Sequence, residues 1–331
     1  MARPKIRICG TSSYGSDPDH FVNSTIGVSA AIEAIKRRQG IRVYAETPEL
    51  KLLGLEDKLQ ARLEWKKAQG KAIAPTEVST FEGVQKEIER RSSFEMAEAH
   101  EEFRRRNKIW SYFPDEGPFR RELYPKHMEV IGYTKEDEEV LMMAANKVGK
   151  TQLASYCITA WTTGRYPHWW HGRRFDEPIT AWICNKTAKD CRDINEAELL
   201  GPPGNEQERG TGMIPGHLIQ KCTPKPGTPH AFEFINIEHI SGGTSYIVTK
   251  SYDQGREAFQ GRNIQVINDD EEVPKDVAAE QKLRIMTVGG LILYTFTPIN
   301  GLTEFTLDFM ESAGLSIDAM RHQQEEEPVD A

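Results

Sequence analysis

Apolar residues recur along this chain with two different periods. Leu52, Leu55, Leu59 and Leu63 follow one another at three- or four-residue intervals, which puts them on one face of a helix predicted over residues 56–69. That stripe reads as packing. A shorter helical pattern occupies residues 26–38, inside a polar start that contains Gly, Ser and Asp. Residues 72–76, with Pro75, read as a linker, and residues 81–108 as a charge-rich helical stretch. A domain boundary is expected near residue 77. From Glu139 onward the pattern changes to short apolar runs at 140–144, 179–184, 245–249, 264–267 and 291–296, separated by glycine-containing turns and helical segments. This alternation predicts an α/β domain. Loops are expected at 201–204 and 225–229, where Gly and Pro cluster, and the Glu325-Glu326-Glu327 run reads as a frayed acidic end.

Composition narrows the class without naming a chemistry. A chain of 331 residues with 38% hydrophobic and 28% charged residues is an ordinary globular protein, long enough for one large domain or two modest ones. The net charge is −8, so any contact with nucleic acid has to be local rather than spread over a basic face. Lys36-Arg37-Arg38, Arg104-Arg105-Arg106, Arg120-Arg121 and Arg173-Arg174 are the local candidates, and each reads first as a solvated face. Cys9, Cys157, Cys184, Cys191 and Cys222 include no pair at metal-ligand spacing and no disulfide framework. A reducing cytoplasm is the expected compartment. With no apolar run near the roughly 20 residues of a membrane helix, no membrane is expected among the partners.

One segment does carry chemistry. Ala144-Ala145-Asn146-Lys147-Val148-Gly149-Lys150-Thr151 follows an apolar strand candidate and precedes residues 152–162, which lack Gly and Pro and can run as a helix. Strand, loop and helix in that order make a phosphate loop: backbone N–H groups surround the phosphates, Lys150 neutralises β/γ oxygens, and Thr151 offers its hydroxyl to Mg²⁺. Ala144 stands where the usual pattern has its first glycine, and a helix-capping turn is the plainer alternative. Such a loop needs a carboxylate at the end of a neighbouring strand and an acid to polarise water. Asn268-Asp269-Asp270-Glu271-Glu272 supplies both, with Asp269 and Asp270 competing for the metal role and Asp270 preferred, Glu271 then being the general base. A solvated acidic loop is the alternative. Further on, the apolar run at 291–296 leads into Thr297-Pro298, which could deliver polar groups to the γ-phosphate or simply form a turn.

In sequence order, the chain then shows Leu123-Tyr124-Pro125-Lys126-His127, the AANKVGKT loop (144–151), TGRYPHWWHGRRFD (163–176), LLGPPG (199–204), GTGMIPG (210–216), SYDQGREAFQG (251–261), DEEVPKDV (270–277) and TFTPINGLT (295–303). On these stretches, the segment from about Ser79 to Glu311 resembles the large terminase subunits of tailed bacteriophages. The resemblance implies an additional-strand, RecA-like P-loop ATPase fold with a mainly parallel sheet flanked by helices, occupying residues 78–315, between a partly helical or disordered extension (1–77) and an acidic tail (316–331).

The resemblance also implies roles. Asp270 becomes the Mg²⁺ ligand with Thr151, and Glu271 the catalytic glutamate. Lys147 matches the basic residue within the family's loop that senses the γ-phosphate. Thr295, Phe296, Thr297 and Pro298 match the motif that couples hydrolysis to movement, and Tyr124, Pro125 and His127 fall where the family contacts adenine. Arg256 and Arg284 are candidates for an arginine that reaches a neighbouring subunit, and a surface salt bridge is the alternative for each. Trp169 and Trp170 read first as aromatic packing and second as a DNA- or subunit-facing loop. ATP and Mg²⁺ are the implied cofactors. Double-stranded DNA, the portal protein and a small terminase subunit are the implied partners, with a ring formed on docking and a monomer in isolation, in the host cytoplasm and transiently at the procapsid portal vertex. Two departures stand out: Ala144 in the loop, and Asn268-Asp269 in place of two usually apolar residues, expected to weaken the strand and crowd charge beside Mg²⁺. The family's nuclease domain has no counterpart before Ala331, so no nuclease activity is expected from this chain.

Overall fold

The structure, a computed structural model, describes residues 48–314 apart from 92, 118, 299, 300, 302 and 313. The helical pattern at 26–38, the Lys36-Arg37-Arg38 cluster, Cys9 and the acidic tail lie outside the described residues. Seven strands form one sheet: β1 (Glu139–Met143), β2 (Thr180–Asn185), β3 (Ile219–Pro224), β4 (Phe232–Glu238), β5 (Thr244–Ser251), β6 (Val266–Asp269) and β7 (Leu291–Phe296), in the order β1-β7-β6-β2-β5-β4-β3. The first five in that order pair in parallel, and β3 and β4 add an antiparallel edge next to β5. β7 lies between β1 and β6, as the additional-strand fold expects.

The helices that matter for the site are α1 (Pro48–Ala68), α2 (Pro75–Arg90), α3 (Ser93–Arg106), α4 (Pro125–Tyr133), α5 (Lys150–Thr163), α6 (Lys275–Met286) and α7 (Glu304–Ser312). Because successive strand residues point to opposite faces, the sheet builds a core on each side. Val140, Met142, Val266 and Leu293 pack with Leu153 and Trp161 of α5 on one face. Leu141, Ile267, Ile292 and Tyr294 pack with Val277 of α6 and Phe309 of α7 on the other. β1, β6 and β7 are buried along their whole length, which is why β1 and β7 read as continuous apolar runs rather than alternating ones, whereas β6 ends on the buried polar pair Asn268-Asp269.

The sequence pattern and the structure part company in three places. The helical stretch at 81–108 is interrupted, α2 ending at Arg91 in extended conformation, and the linker at 72–76 is shortened because Pro75 takes the first turn of α2, where its missing N–H is harmless. The boundary expected near 77 therefore falls inside a helix. On α1 the buried face runs through Leu50, Leu53 and Gly54 rather than through the predicted leucine stripe, and Leu55 is 42% exposed. Gly54 sets that face, since a Cβ there would stand 2.7 Å from the His217 Cβ. Third, β3 and β4 were not predicted: β3 is a half-buried edge strand and β4 alternates between buried and half-buried positions, so neither gives an apolar run to detect.

α1 is pinned to the sheet domain by Asp57, whose carboxylate accepts hydrogen bonds from Arg165 and, at 2.8 Å, from His217 Nε2. Burial alone would raise the Asp57 carboxyl; the His217 hydrogen bond and the Arg165 charge outweigh it and hold the group below its ordinary value. Burial in turn lowers His217, leaving a neutral imidazole that donates its Nε2 proton. Arg165 is only 3% exposed, so removing its partner strands a buried charge. Asp57→Ala should cost about 3 kcal/mol in urea unfolding at pH 7. Since the folded carboxyl lies below its unfolded value, that difference should be present above about pH 4 and fade as acid protonates Asp57.

Candidate active site

The loop between β1 and α5 is short and conformationally specific. Gly149 caps α5 in the left-handed region at φ 84°, two residues after another left-handed residue, Lys147 at φ 65°. Gly149 cannot carry a side chain easily, because a Cβ would approach His127 Nε2 to 3.2 Å in addition to the strained φ. Ala144, in contrast, has no positive φ. A methyl group at that position is therefore tolerated, and Ala144 keeps the loop tied to the sheet through its N–H, which donates to the Phe296 carbonyl at 3.3 Å.

Lys150 begins α5, where unpaired N–H groups and the helix dipole favour an anion. Its Nζ donates to the carbonyls of Ala144 (3.1 Å) and Ala145 (2.7 Å) and to Thr297 Oγ1 (2.8 Å). Thr297 in turn donates to Asn146 Oδ1 at 2.8 Å. Burial lowers the Lys150 ammonium, opposed by the charges of Asp270 and Glu271.

Asp270 lies just past the end of β6 and is 6% exposed. Three elements converge on it. Thr151 Oγ1 on α5 lies 3.1 and 3.0 Å from its two carboxylate oxygens, Thr295 Oγ1 on β7 donates at 2.9 Å, and Asn195 Nδ2 on the π-helical turn Cys191–Glu196 donates at 3.1 Å. Asn195 is itself oriented by Asn185 at the end of β2, at 3.0 Å. Burial pushes the Asp270 carboxyl up to about 6, against the hydrogen bonds from Thr295 and Thr151. Next in sequence, Glu271 is 3.3 Å from Lys186 Nζ, while its main-chain oxygen accepts from the Tyr252 hydroxyl at 3.2 Å.

The pleat separates the two aspartates. Asp269 is in β6 and points to the opposite face, where its Oδ1 accepts from Gln281 (2.8 Å) and Tyr252 (3.0 Å). It is fully buried, and burial raises its carboxyl to about 7. Asn268 is also inside the strand, its amide donating to the Leu293 carbonyl at 3.0 Å. The expectation that Asn268-Asp269 ends the strand early and crowds charge beside a metal is therefore corrected: β6 runs through both residues, and Asp269 has its own polar niche behind the sheet.

Other expected residues divide. Lys147 is exposed on the loop. Thr295 and Thr297 face Asp270 and Lys150, and Pro298 follows, its carbonyl accepting from Gly301 N–H at 3.2 Å. Tyr124 packs edge-on to His127. His127, expected where adenine is contacted, is 2% exposed beneath the loop, hydrogen-bonded to the Val148 and Gly149 backbone, and burial lowers it to about 4. It supports the loop from below. Arg256 and Arg284 both pair with Glu280, at 3.1 and 2.9 Å. Trp169 stacks on Tyr156 with rings 6.0 Å apart, the packing reading, and Arg173 is spent on the carbonyls of Thr134, Asp137, Gly289 and Gly290. Asn185, Lys186, Asn195 and Tyr252 were not identified from sequence. Tyr252 falls within the SYDQGREAFQG stretch but was given no role there, and no motif marks the other three, so only their position after β2 and β5 beside β6 could have pointed to them.

Among the described residues no group of three or more His, Cys, Asp or Glu side chains could hold a metal alone. The Thr151 hydroxyl with the Asp270 carboxylate is instead a hard-oxygen pair of the kind that shares Mg²⁺ with substrate phosphates. Together with Lys150 at the start of α5, it suits a phosphorylated ligand.

Residues 141–331, more than half of the chain, match the family model described as terminase large subunit, T4likevirus-type, N-terminal. The chain belongs to the terminase large subunit family. Over 239 residues it is 27% identical to the terminase large subunit of Salmonella phage P22, an alignment covering 67% of this terminase chain and 46% of that protein. It thus spans about half the length of that curated relative. Two crystal forms of the large terminase from a thermophilic bacteriophage are also similar: form 2 with a TM-score of 0.40 and 13% identity, and form 3, solved with ADP, with 0.37 and 15%. Each match covers 62% of this chain and 50% of the thermophilic phage's chain.

Tyr252 joins the two faces of the site, contacting Asp269 and the Glu271 main chain. Tyr252→Phe in this terminase chain should lower stability by about 1–3 kcal/mol in urea unfolding, because it removes one of the two hydrogen bonds to the buried Asp269 carboxyl and the bond to the Glu271 main chain.

Proposed function

We propose that this terminase chain is an ATP-hydrolysing motor subunit that moves double-stranded DNA into a procapsid. The observation that carries the reading is the contact of Thr151 with Asp270 beside Lys150 at the N-terminus of α5: a hydroxyl, a carboxylate and an ammonium where a nucleotide's β- and γ-phosphates would lie. Thr151 and Asp270 would hold Mg²⁺, which when bound neutralises phosphate charge and orients the phosphate oxygens. Lys150 would exchange its loop carbonyls for phosphate oxygens, and Glu271 would accept a proton from the attacking water. Lys147, exposed on the loop, is free to approach the γ-phosphate.

The coupling role of Thr295 and Thr297 has support in their contacts, since one strand end touches both the metal-side carboxylate and the phosphate-side lysine. A change at the phosphates is felt directly by β7. For an arginine acting on a neighbouring subunit, Arg256 is the better candidate, with 53% of its side chain exposed against 20% for Arg284. A ring assembled at the portal, with a small terminase subunit to select DNA, is the setting in which such an arginine would act. The grip on DNA would be to its phosphate backbone and steeply weakened by salt.

Lys150→Ala and Glu271→Gln should each lower Mg²⁺-dependent ATP hydrolysis by about 10²- to 10⁴-fold, measured as phosphate release with DNA and portal-bearing procapsids present. Wild type no faster than the variants would sink the motor reading. Asn195→Ala should raise the Mg²⁺ concentration for half-maximal hydrolysis about 10-fold, because it removes a hydrogen bond that orients the metal-binding carboxylate.

A further inference from the structure

The sheet ends on β3, which pairs with β4 on one side and, among the described residues, with no strand on the other. An open cavity of about 370 Å³ lies against it, lined by Leu50 of α1, Phe103 of α3 and Ile219, Gln220, Lys221 and Cys222 of β3 among others. Successive strand residues point to opposite faces, so a cavity that touches four in a row runs along the free edge of the strand and not over one face. Such an edge presents N–H and C=O groups to an extended segment laid beside it. The two sides of β3 differ. Ile219 and Cys222 pack on the core that contains Val140, while Gln220 and Lys221 are exposed, a three-residue spacing absorbed by the register shift between Ile219 and Lys221.

The chain itself supplies a matching segment. The described residues begin with α1 at Pro48, and Leu50, on its first turn, is already in the cavity wall. Just before α1 the sequence reads Ile41-Arg42-Val43-Tyr44-Ala45-Glu46, preceded by Gly40. Apolar Ile41, Val43 and Ala45 alternate with Arg42, Tyr44 and Glu46, the period of a strand with one face on a core. Thr47 precedes a proline, which favours extended backbone there. In length the segment equals β3, six residues each. Its direction follows from α1: Gly54 lies against His217, in the turn Gly216–Leu218 just before β3, so a segment that leads into α1 and lies along β3 runs antiparallel to it.

We propose that residues 41–46 dock in this cavity as an added antiparallel strand on β3, with Ile41, Val43 and Ala45 on the Cys222 side and Arg42, Tyr44 and Glu46 on the side of Gln220 and Lys221. Docked there, the segment covers the free edge of the sheet, which would otherwise be open to pairing with another chain. It anchors the N-terminal extension to the sheet without touching the phosphate loop, so failure of this proposal would leave the nucleotide reading untouched.

The test uses Cys222, which lines the cavity, in the full chain; Cys157, Cys184 and Cys191 are buried. In a Cys9→Ser background, single substitutions from Ile41→Cys through Glu46→Cys are treated with a mild oxidant. A disulfide needs Cα atoms within about 7 Å and Cβ vectors that face each other. Bridging to Cys222 within one chain should therefore be at least about 10-fold faster from whichever of Ile41, Val43 and Ala45 lies opposite than from the polar positions on either side of it. Amide hydrogen exchange gives a second readout without new cysteines. Alternate N–H groups of an antiparallel strand point at its neighbour, so changing Val43→Pro and Tyr44→Pro together removes one pairing donor. Exchange of the 219–223 amides should then speed up at least about 10-fold, with exchange in β6 and β7 unchanged as the check on folding. No bridging at any position, equal rates at all six, faster bridging from the polar positions, bridging only between two chains, or 219–223 exchange unchanged by the paired prolines overturns the proposal.

Discussion

The site depends on one buried carboxylate. Asp270 is held by hydroxyls from α5 and β7 and by an amide from the turn after β2, so three separate parts of the fold meet at its two oxygens. A carboxylate this deeply buried is unfavourable unless it is well hydrogen-bonded. Its partners can reach it because β7 lies between β1 and β6. In that order Thr295 sits beside β6, and Thr297, two residues on, falls beside Lys150. The strand order and the chemistry are therefore one arrangement.

The opposite face of β6 explains how an unusual sequence is accommodated. A charged residue within a buried strand would be destabilising, but burial shifts Asp269 toward its neutral form, and Gln281 and Tyr252 supply donors to one of its oxygens. Tyr252 then reaches the main chain of Glu271. The substitution of polar for apolar residues before Asp270 thus ties β6 to α6 and to the turn after β5. Ala144 is accommodated more simply, since the loop takes its left-handed turns at Lys147 and Gly149 instead.

Much of this was legible in the sequence for a physical reason. Strands buried on both faces are written as apolar runs, so β1, β2, β5 and β7 appear in the pattern within a residue or two, and a phosphate loop needs a fixed order of Gly, Lys and Thr. β6 was displaced by two residues because its last two members are polar, yet they are buried by side-chain hydrogen bonds that no local pattern reports. Asn195 was invisible for a similar reason: its role follows from a turn that passes close to β6 in space, not from its neighbours in the chain. His127, expected where adenine is contacted, lies buried beneath the loop, a position that no local pattern reports. The docking face of α1 followed a close approach at Gly54 and not the leucine spacing.

The account rests on the phosphate loop and Asp270 forming one nucleotide site, and the most direct measurement is titration of a non-hydrolysable ATP analogue with Mg²⁺ into the wild type, Lys150→Ala and Asp270→Asn. The account predicts binding at a single site in the wild type that weakens at least about 10-fold when Mg²⁺ is removed or either residue is changed. Absence of binding in the wild type, or binding that survives both substitutions unchanged, would contradict it.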